Sequence, residues 1–121
     1  MFVNITSYPS NTWEKDLLAA AKEIAREGNI LDVYVPPIPG HFNEKDIEPI
    51  VKEIVTPLIE KTFLIDAILV NIEPTLNYSV VKALKAAGFM VLINCTDYEE
   101  SVNEEDVTTY KPVFSQFRLY Q

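Results

Sequence analysis

The chain has 121 residues, 48% of them hydrophobic, enough for one domain with a core of its own. Its net charge is −8, with no Lys or Arg between Lys85 and Lys111 and six acids between Asp97 and Asp106, which speaks against duplex nucleic acid and anionic membranes as partners. A single cysteine, Cys95, excludes an internal disulfide. No apolar run approaches the ~20 residues that span a bilayer, and the start MFVNITSYPS lacks the basic and apolar regions of a signal peptide. The expectation is a cytoplasmic protein.

Phe2 to Thr6 reads as a first strand, followed by the polar turn Ser7-Tyr8-Pro9-Ser10. Asn11 is placed to cap a first helix, with Glu14 three residues on as the partner of a capping box. That helix is expected to run to about Glu27, with Trp13, Leu17, Ala20, Ala21 and Ile24 on its inner face and Gly28 as its stop. Ile30 to Val35 alternates in the manner of a half-exposed strand, with Leu31, Val33 and Val35 on one side and Ile30, Asp32 and Tyr34 on the other. The segment Pro36-Pro37-Ile38-Pro39-Gly40 must be a loop. A second helix is expected from about Asn43 to Lys61, with Ile47, Val51, Ile54 and Leu58 at helical spacing, and Pro49 and Pro57 should kink or interrupt it.

Ala67 to Ile72 is apolar except for Asn71, as a strand covered on both faces would be. The loop Glu73-Pro74-Thr75-Leu76-Asn77 leads into a third helix that ends at Ala87, before Gly88. Phe89 to Ile93 reads as another buried strand and Val113 to Tyr120 as the last. The acidic stretch between them has no helical period, so the last two strands should pair as a long antiparallel hairpin with a solvated acidic tip. The pattern predicts an α/β, three-layer, Rossmann-like sandwich with a mostly parallel sheet of order 2-1-3-4-5. Open α/β sheets bind ligands where the chain direction across the sheet reverses, here between the first and third strands.

Two polar loops should meet at that point. The first, Ser7 to Asn11, has hydroxyls and an amide suited to phosphate or ribose, although Pro9 and Asn11 also suit a plain turn and helix cap. The second offers Glu73, Thr75, Asn77 and Tyr78. Glu73 suits a ribose hydroxyl contact or proton transfer, and equally a helix dipole. Ser10 and Thr75 are assigned to phosphate, Glu73 joins them as a candidate catalytic group, and Thr96 is expected at the same crevice from the end of the fourth strand. The predicted binding set is therefore Ser7, Tyr8, Ser10, Asn11, Glu73, Thr75, Asn77 and Thr96. The lone His41 stands away from any Cys or carboxylate cluster, so neither a metal nor a cofactor is expected, and Cys95 reads as a small buried hydrophobe. The sequence has no G-x-G-x-x-G, G-x-x-x-x-G-K or G-x-S-x-G motif.

At these positions the chain resembles a group of small bacterial CRISPR-associated proteins. Their opening N-x-S/T-x-H-P-S, followed by a tryptophan, has its counterpart in N-I-T-S-Y-P-S-N-T-W, with Tyr8 in the place of histidine. Their G-E-M-T-F-T-F-like segment has its counterpart in I-E-P-T-L-N-Y, which keeps Glu73 and Thr75. A small threonine-rich turn corresponds to Asn94-Cys95-Thr96, and a closing F-x-x-F-R-x-Y to Phe114, Phe117, Arg118 and Tyr120. The layout is also similar to the CARF domain, a Rossmann-like sensor of cyclic oligoadenylate in type III CRISPR systems. The resemblance implies a homodimer that holds a small cyclic oligonucleotide across its axis. It also implies ring-nuclease chemistry, in which a ribose 2′-hydroxyl attacks the neighbouring phosphate without a metal and leaves a 2′,3′-cyclic phosphate. The alternative is a non-catalytic accessory or regulatory interaction module of the same fold.

Overall fold

The structure, a computed structural model, describes all 121 residues. In chain order the elements are β1 (Phe2–Thr6), α1 (Lys15–Ile24), β2 (Ile30–Asp32), α2 (Glu44–Ile59), β3 (Ala67–Asn71), α3 (Pro74–Ala86), β4 (Val91–Val102) and β5 (Thr108–Leu119). The five strands form one sheet of order β2-β1-β3-β4-β5, parallel except for the β4–β5 pair. This is the expected α/β, Rossmann-like arrangement.

Strand alternation divides the core. Val3 and Ile5 of β1 and Ile68 and Val70 of β3 point to one face, where α2 supplies Ile54 and Leu58 and α3 supplies Leu76, Val80 and Leu84. Phe2, Ala67, Leu69 and Leu92 point to the other, against Ala21 and Ala25 at α1, with Trp13 and Phe117 at the margin. The α2/α3 side holds 14 buried residues and the α1 side 6, so one face carries most of the burial. At the foot of β3, Asp66 accepts from the Arg26 side chain and, at 2.8 Å, from the terminal amine of Met1. The amine's hydrogen bond, then the Arg26 backbone amide and side chain, hold its pKa at about 2.

Several boundaries differ from expectation. The capping box expected at Asn11 does not form. Ser10–Thr12 make a short 3-10 turn, α1 starts at Lys15, and its cap Glu14 makes no side-chain capping bond. Instead the Glu14 carboxylate accepts the backbone N–H of Phe114 on β5. A capping box does form at α2, where Asn43 accepts from the amides of Lys45 and Asp46 and the Asp46 carboxylate accepts from the Asn43 amide. The expected interruption of that helix is absent, since α2 runs unbroken through Pro49 and Pro57. Both prolines are exposed, as are Lys45 and Glu53 four residues before them, so water can satisfy the carbonyls that lose a partner. The β2 ladder stops at Asp32 instead of Val35, although the Val33 N–H still donates to the Asn4 carbonyl at 2.9 Å.

The largest difference is in the last hairpin. β4 does not end at Ile93 or turn at Asn94-Cys95-Thr96, and it continues through the acidic segment to Val102. β5 begins at Thr108, five residues before the expected start. The two strands pair from Leu92↔Leu119 to Val102↔Thr108, with a bulge at Ser115, which has no partner of its own across the ladder.

Candidate functional site

The C-terminal ends of β1, β2 and β3 converge on a crevice of about 550 Å³, a common size for a small-molecule site. Its floor holds Asn4, Thr6 and Ser7, its far wall is Val33 to Ile38, and its near wall is Ile72, Glu73 and Leu76 at the head of α3. It lies at the predicted crossing between β1 and β3.

One polar network sets its geometry. Asn4, 1% exposed, sits in the central strand and must satisfy its amide internally. Its Nδ2 donates to Asp32 Oδ1 and to the Tyr8 carbonyl, each at 2.8 Å, while its Oδ1 accepts from the Thr6 hydroxyl at 2.7 Å. Asp32 also accepts from the Ser10 amide and the Ser10 hydroxyl, both at 3.0 Å, and Trp13 Nε1 donates to the Tyr8 carbonyl at 3.1 Å. The loop Ser7–Ser10 is thereby tied to β1, β2 and Trp13, two residues before α1.

Glu73 caps α3. Its Oε2 accepts from the Thr75 hydroxyl and, at 2.9 Å, from the Leu76 amide. These bonds, the hydroxyl first, hold its carboxyl below the usual glutamate range. Such a carboxylate is a good acceptor and a poor general base at neutral pH. Asn77 accepts from the Ile72 amide at 3.1 Å and donates to the Tyr120 hydroxyl at 3.2 Å. The Tyr120 hydroxyl itself donates to the Val70 carbonyl at 2.7 Å, and burial pushes its pKa up against the opposing pull of Asn77.

The structure gathers only part of the predicted set. Ser7 and Glu73 line the crevice, and Thr75 stands behind Glu73. Ser10 faces Asp32, with its hydroxyl already donated. Tyr8 opens onto a smaller cleft on the α1 side, and Asn11 is exposed in the 3-10 turn. Asn77 lines a third cleft, of about 640 Å³, between α3 and the β4–β5 pair. Thr96 lies in the hairpin opposite Phe114 and lines none of these spaces, because β4 does not end where the turn was expected. Cys95 is half-buried, and His41 is exposed with its ring edge-on to Phe42. No three His, Cys, Asp or Glu side chains gather as a metal site would require. No helix is long and apolar enough to cross a membrane.

Asp32 and Asn4 organise the crevice, and neither was singled out from the sequence. Asp32 reads there as the outward half of an alternating strand. The usable signal is Asn4, polar between two apolar residues in F-V-N-I-T, since a central strand buries such a residue only with partners. The crevice walls hold two carboxylates, Asp32 and Glu73, and no cation. Lys82 and Lys85 line the neighbouring cleft instead.

Comparison of the chain with protein-family models, with curated proteins and with solved structures gives no match.

Proposed function

We propose that the crevice takes a nucleoside portion of a cyclic oligoadenylate, the second messenger of type III CRISPR defence. The observation that carries this reading is the pairing of two fixed carboxylate acceptors with an apolar wall at the β1–β3 crossing. Ribose hydroxyls and an exocyclic amine are donors that suit Asp32 and Glu73. Val33 to Ile38 offer the apolar surface that a base plane needs. Phosphate is repelled by both carboxylates, so the phosphodiester faces out of the crevice.

In the catalytic form of this reading, the ligand's own 2′-oxygen bonds to the adjacent phosphorus as the P–O5′ bond breaks. The 2′ proton passes to water and the 5′-oxygen takes one up. The protein's part is alignment, with Glu73 and Asp32 holding the sugar in place. A second reading, a binding module without chemistry, is favoured by the commitment of the Ser10 hydroxyl and the Glu73 carboxylate to bonds within the chain.

The test is incubation with cyclic tri-, tetra- and hexa-adenylate, with binding followed by calorimetry and products by chromatography. Binding by the parent that weakens in Glu73→Ala and in Ser10→Ala, with both variants folded, is the expected result. A linear product with a 2′,3′-cyclic phosphate selects the ring nuclease, and intact ligand selects the binding module. A parent that binds none of the three rings overturns the proposal.

A further inference from the structure

The outer part of the β4–β5 hairpin is an arm. Every residue from Thr96 to Pro112 is exposed, and all hydrogen bonds of this segment stay within the hairpin. None of its residues belongs to either hydrophobic cluster. At about 3.3 Å per residue, Thr96 to Val102 extend the sheet by roughly 20 Å. A two-stranded ribbon alone in water is marginally stable.

The arm has two unlike faces. Across its ladder Tyr98 stands opposite Pro112, Glu100 opposite Tyr110 and Val102 opposite Thr108. These residues share a face with Phe114, whose ring lies 5.0 Å from that of Phe117, itself 5.4 Å from Phe2 in the core on the α1 side. An apolar row therefore leaves the core and continues along the arm; Pro112 still borders the cleft at Trp13 and Leu17, whereas Tyr98, Tyr110 and Val102 beyond it are open to solvent. The reverse face carries Asp97, Glu99, Ser101, Thr109 and Lys111, and the tip adds Glu104, Glu105 and Asp106. The arm as a whole holds six acids and one lysine.

A surface of opposite charge lies elsewhere on the molecule. α3 is the only one of the three α-helices without an acid, and its exposed Tyr78, Lys82 and Lys85 follow one another at helical spacing along the 640 Å³ cleft. Val81, Ile93 and Tyr120 supply the apolar part of that cleft. It thus offers what the arm lacks, positive charge beside apolar surface.

We propose that the occupant of this cleft is the acidic arm of a second copy of the chain, exchanged reciprocally about a two-fold axis. Tyr98, Tyr110 and Val102 lie on the apolar part of the cleft, and Glu100 and the tip acids meet Lys82 and Lys85. Reciprocal exchange is a closed, isologous arrangement. Stacking arm on arm would instead bring two acidic ribbons together. The pairing uses no residue of the nucleoside crevice and needs no ligand.

Charge exchange followed by light scattering tests it. The parent is expected to be a dimer at micromolar concentration. Lys82→Glu with Lys85→Glu, and separately Glu100→Lys with Glu104→Lys, should each weaken self-association about tenfold or more. Mixing the two folded variants in equal amounts should restore a dimer, because each arm then meets a cleft of opposite sign. Circular dichroism checks that both variants, altered only at exposed residues, remain folded. A monomeric parent overturns the arm exchange together with the dimer. A dimer that survives Lys82→Glu with Lys85→Glu, or two monomeric variants that do not pair on mixing, overturns the exchange and leaves other dimers and the crevice untouched.

Discussion

β3 and β4 are neighbours in one sheet, yet they obey different rules. β3 is covered on both sides along Ala67 to Val70, four of its five residues, which are essentially inaccessible, and its sequence is almost wholly apolar. β4 is built this way only at Val91 and Leu92, and beyond Cys95 it is a ribbon whose single lateral partner is β5. In the covered half, burial holds the strand in place. In the arm, the cross-strand ladder does, and side chains are free to serve something outside the chain.

Substitutions can sharpen that contrast. Leu84→Ala removes a fully buried side chain from the larger cluster and should lower stability by about 2–5 kcal/mol in urea unfolding. A change under 1 kcal/mol would mean that the α2/α3 side is not the dominant core. Asn4→Ala removes the side chain that bridges β1 to Asp32 and the Tyr8 carbonyl, leaving those acceptors only Ser10 and Trp13 Nε1 as side-chain and loop donors outside β1, and should destabilise by about 1–3 kcal/mol in the same measurement. It should also loosen the Ser7–Ser10 loop, seen as faster amide exchange there.

Acid should act next, at the foot of β3. Asp66 has its folded pKa lowered from 3.8 to about 2, so its stabilising contribution is complete above 3.8 and is lost as pH falls towards 2. Asp66→Asn should therefore be less stable than the parent at neutral pH, and the two unfolding curves should converge as pH drops through that window. Curves that stay parallel down to pH 2 would remove the ion pairs from the account. The smallest effect is expected on the arm. Tyr110→Ser, studied in the Lys82→Glu/Lys85→Glu background, should shift stability by no more than about 0.5 kcal/mol. A larger loss there would show that the arm packs on its own chain after all.

The same contrast explains what could be read in the sequence. The sheet order is legible because β3 is apolar along all but its last residue and the edge strand β2 alternates. The length of the arm was not, since Asp, Glu and Asn are poor strand formers by themselves and are held extended here by pairing with β5. The arm did leave one trace. Phe114 and Phe117 are three residues apart, and in a regular strand that spacing puts two side chains on opposite faces. Their rings meet because of the Ser115 bulge. In the site, Glu73 was found by its place at the β1–β3 crossing, whereas its capping bonds depend on how α3 begins. Asp32 carries no comparable signal, because only the fold brings β2 beside the Ser10 loop.

The Ser115 bulge also makes the hairpin a lever with an adjustable mount. Phe114 already faces Thr96 and Gln116 already faces Cys95, so loss of the residue between them would leave every cross-strand pairing in place. It would remove the extra local twist that a bulge imparts, and so swing the distal ribbon to a new heading relative to the body. A one-codon deletion could then retarget an entire binding surface while the core, the crevice and the ladder stayed as they were. Direction and composition of the arm are separately mutable, which gives such a protein a short route to a new partner.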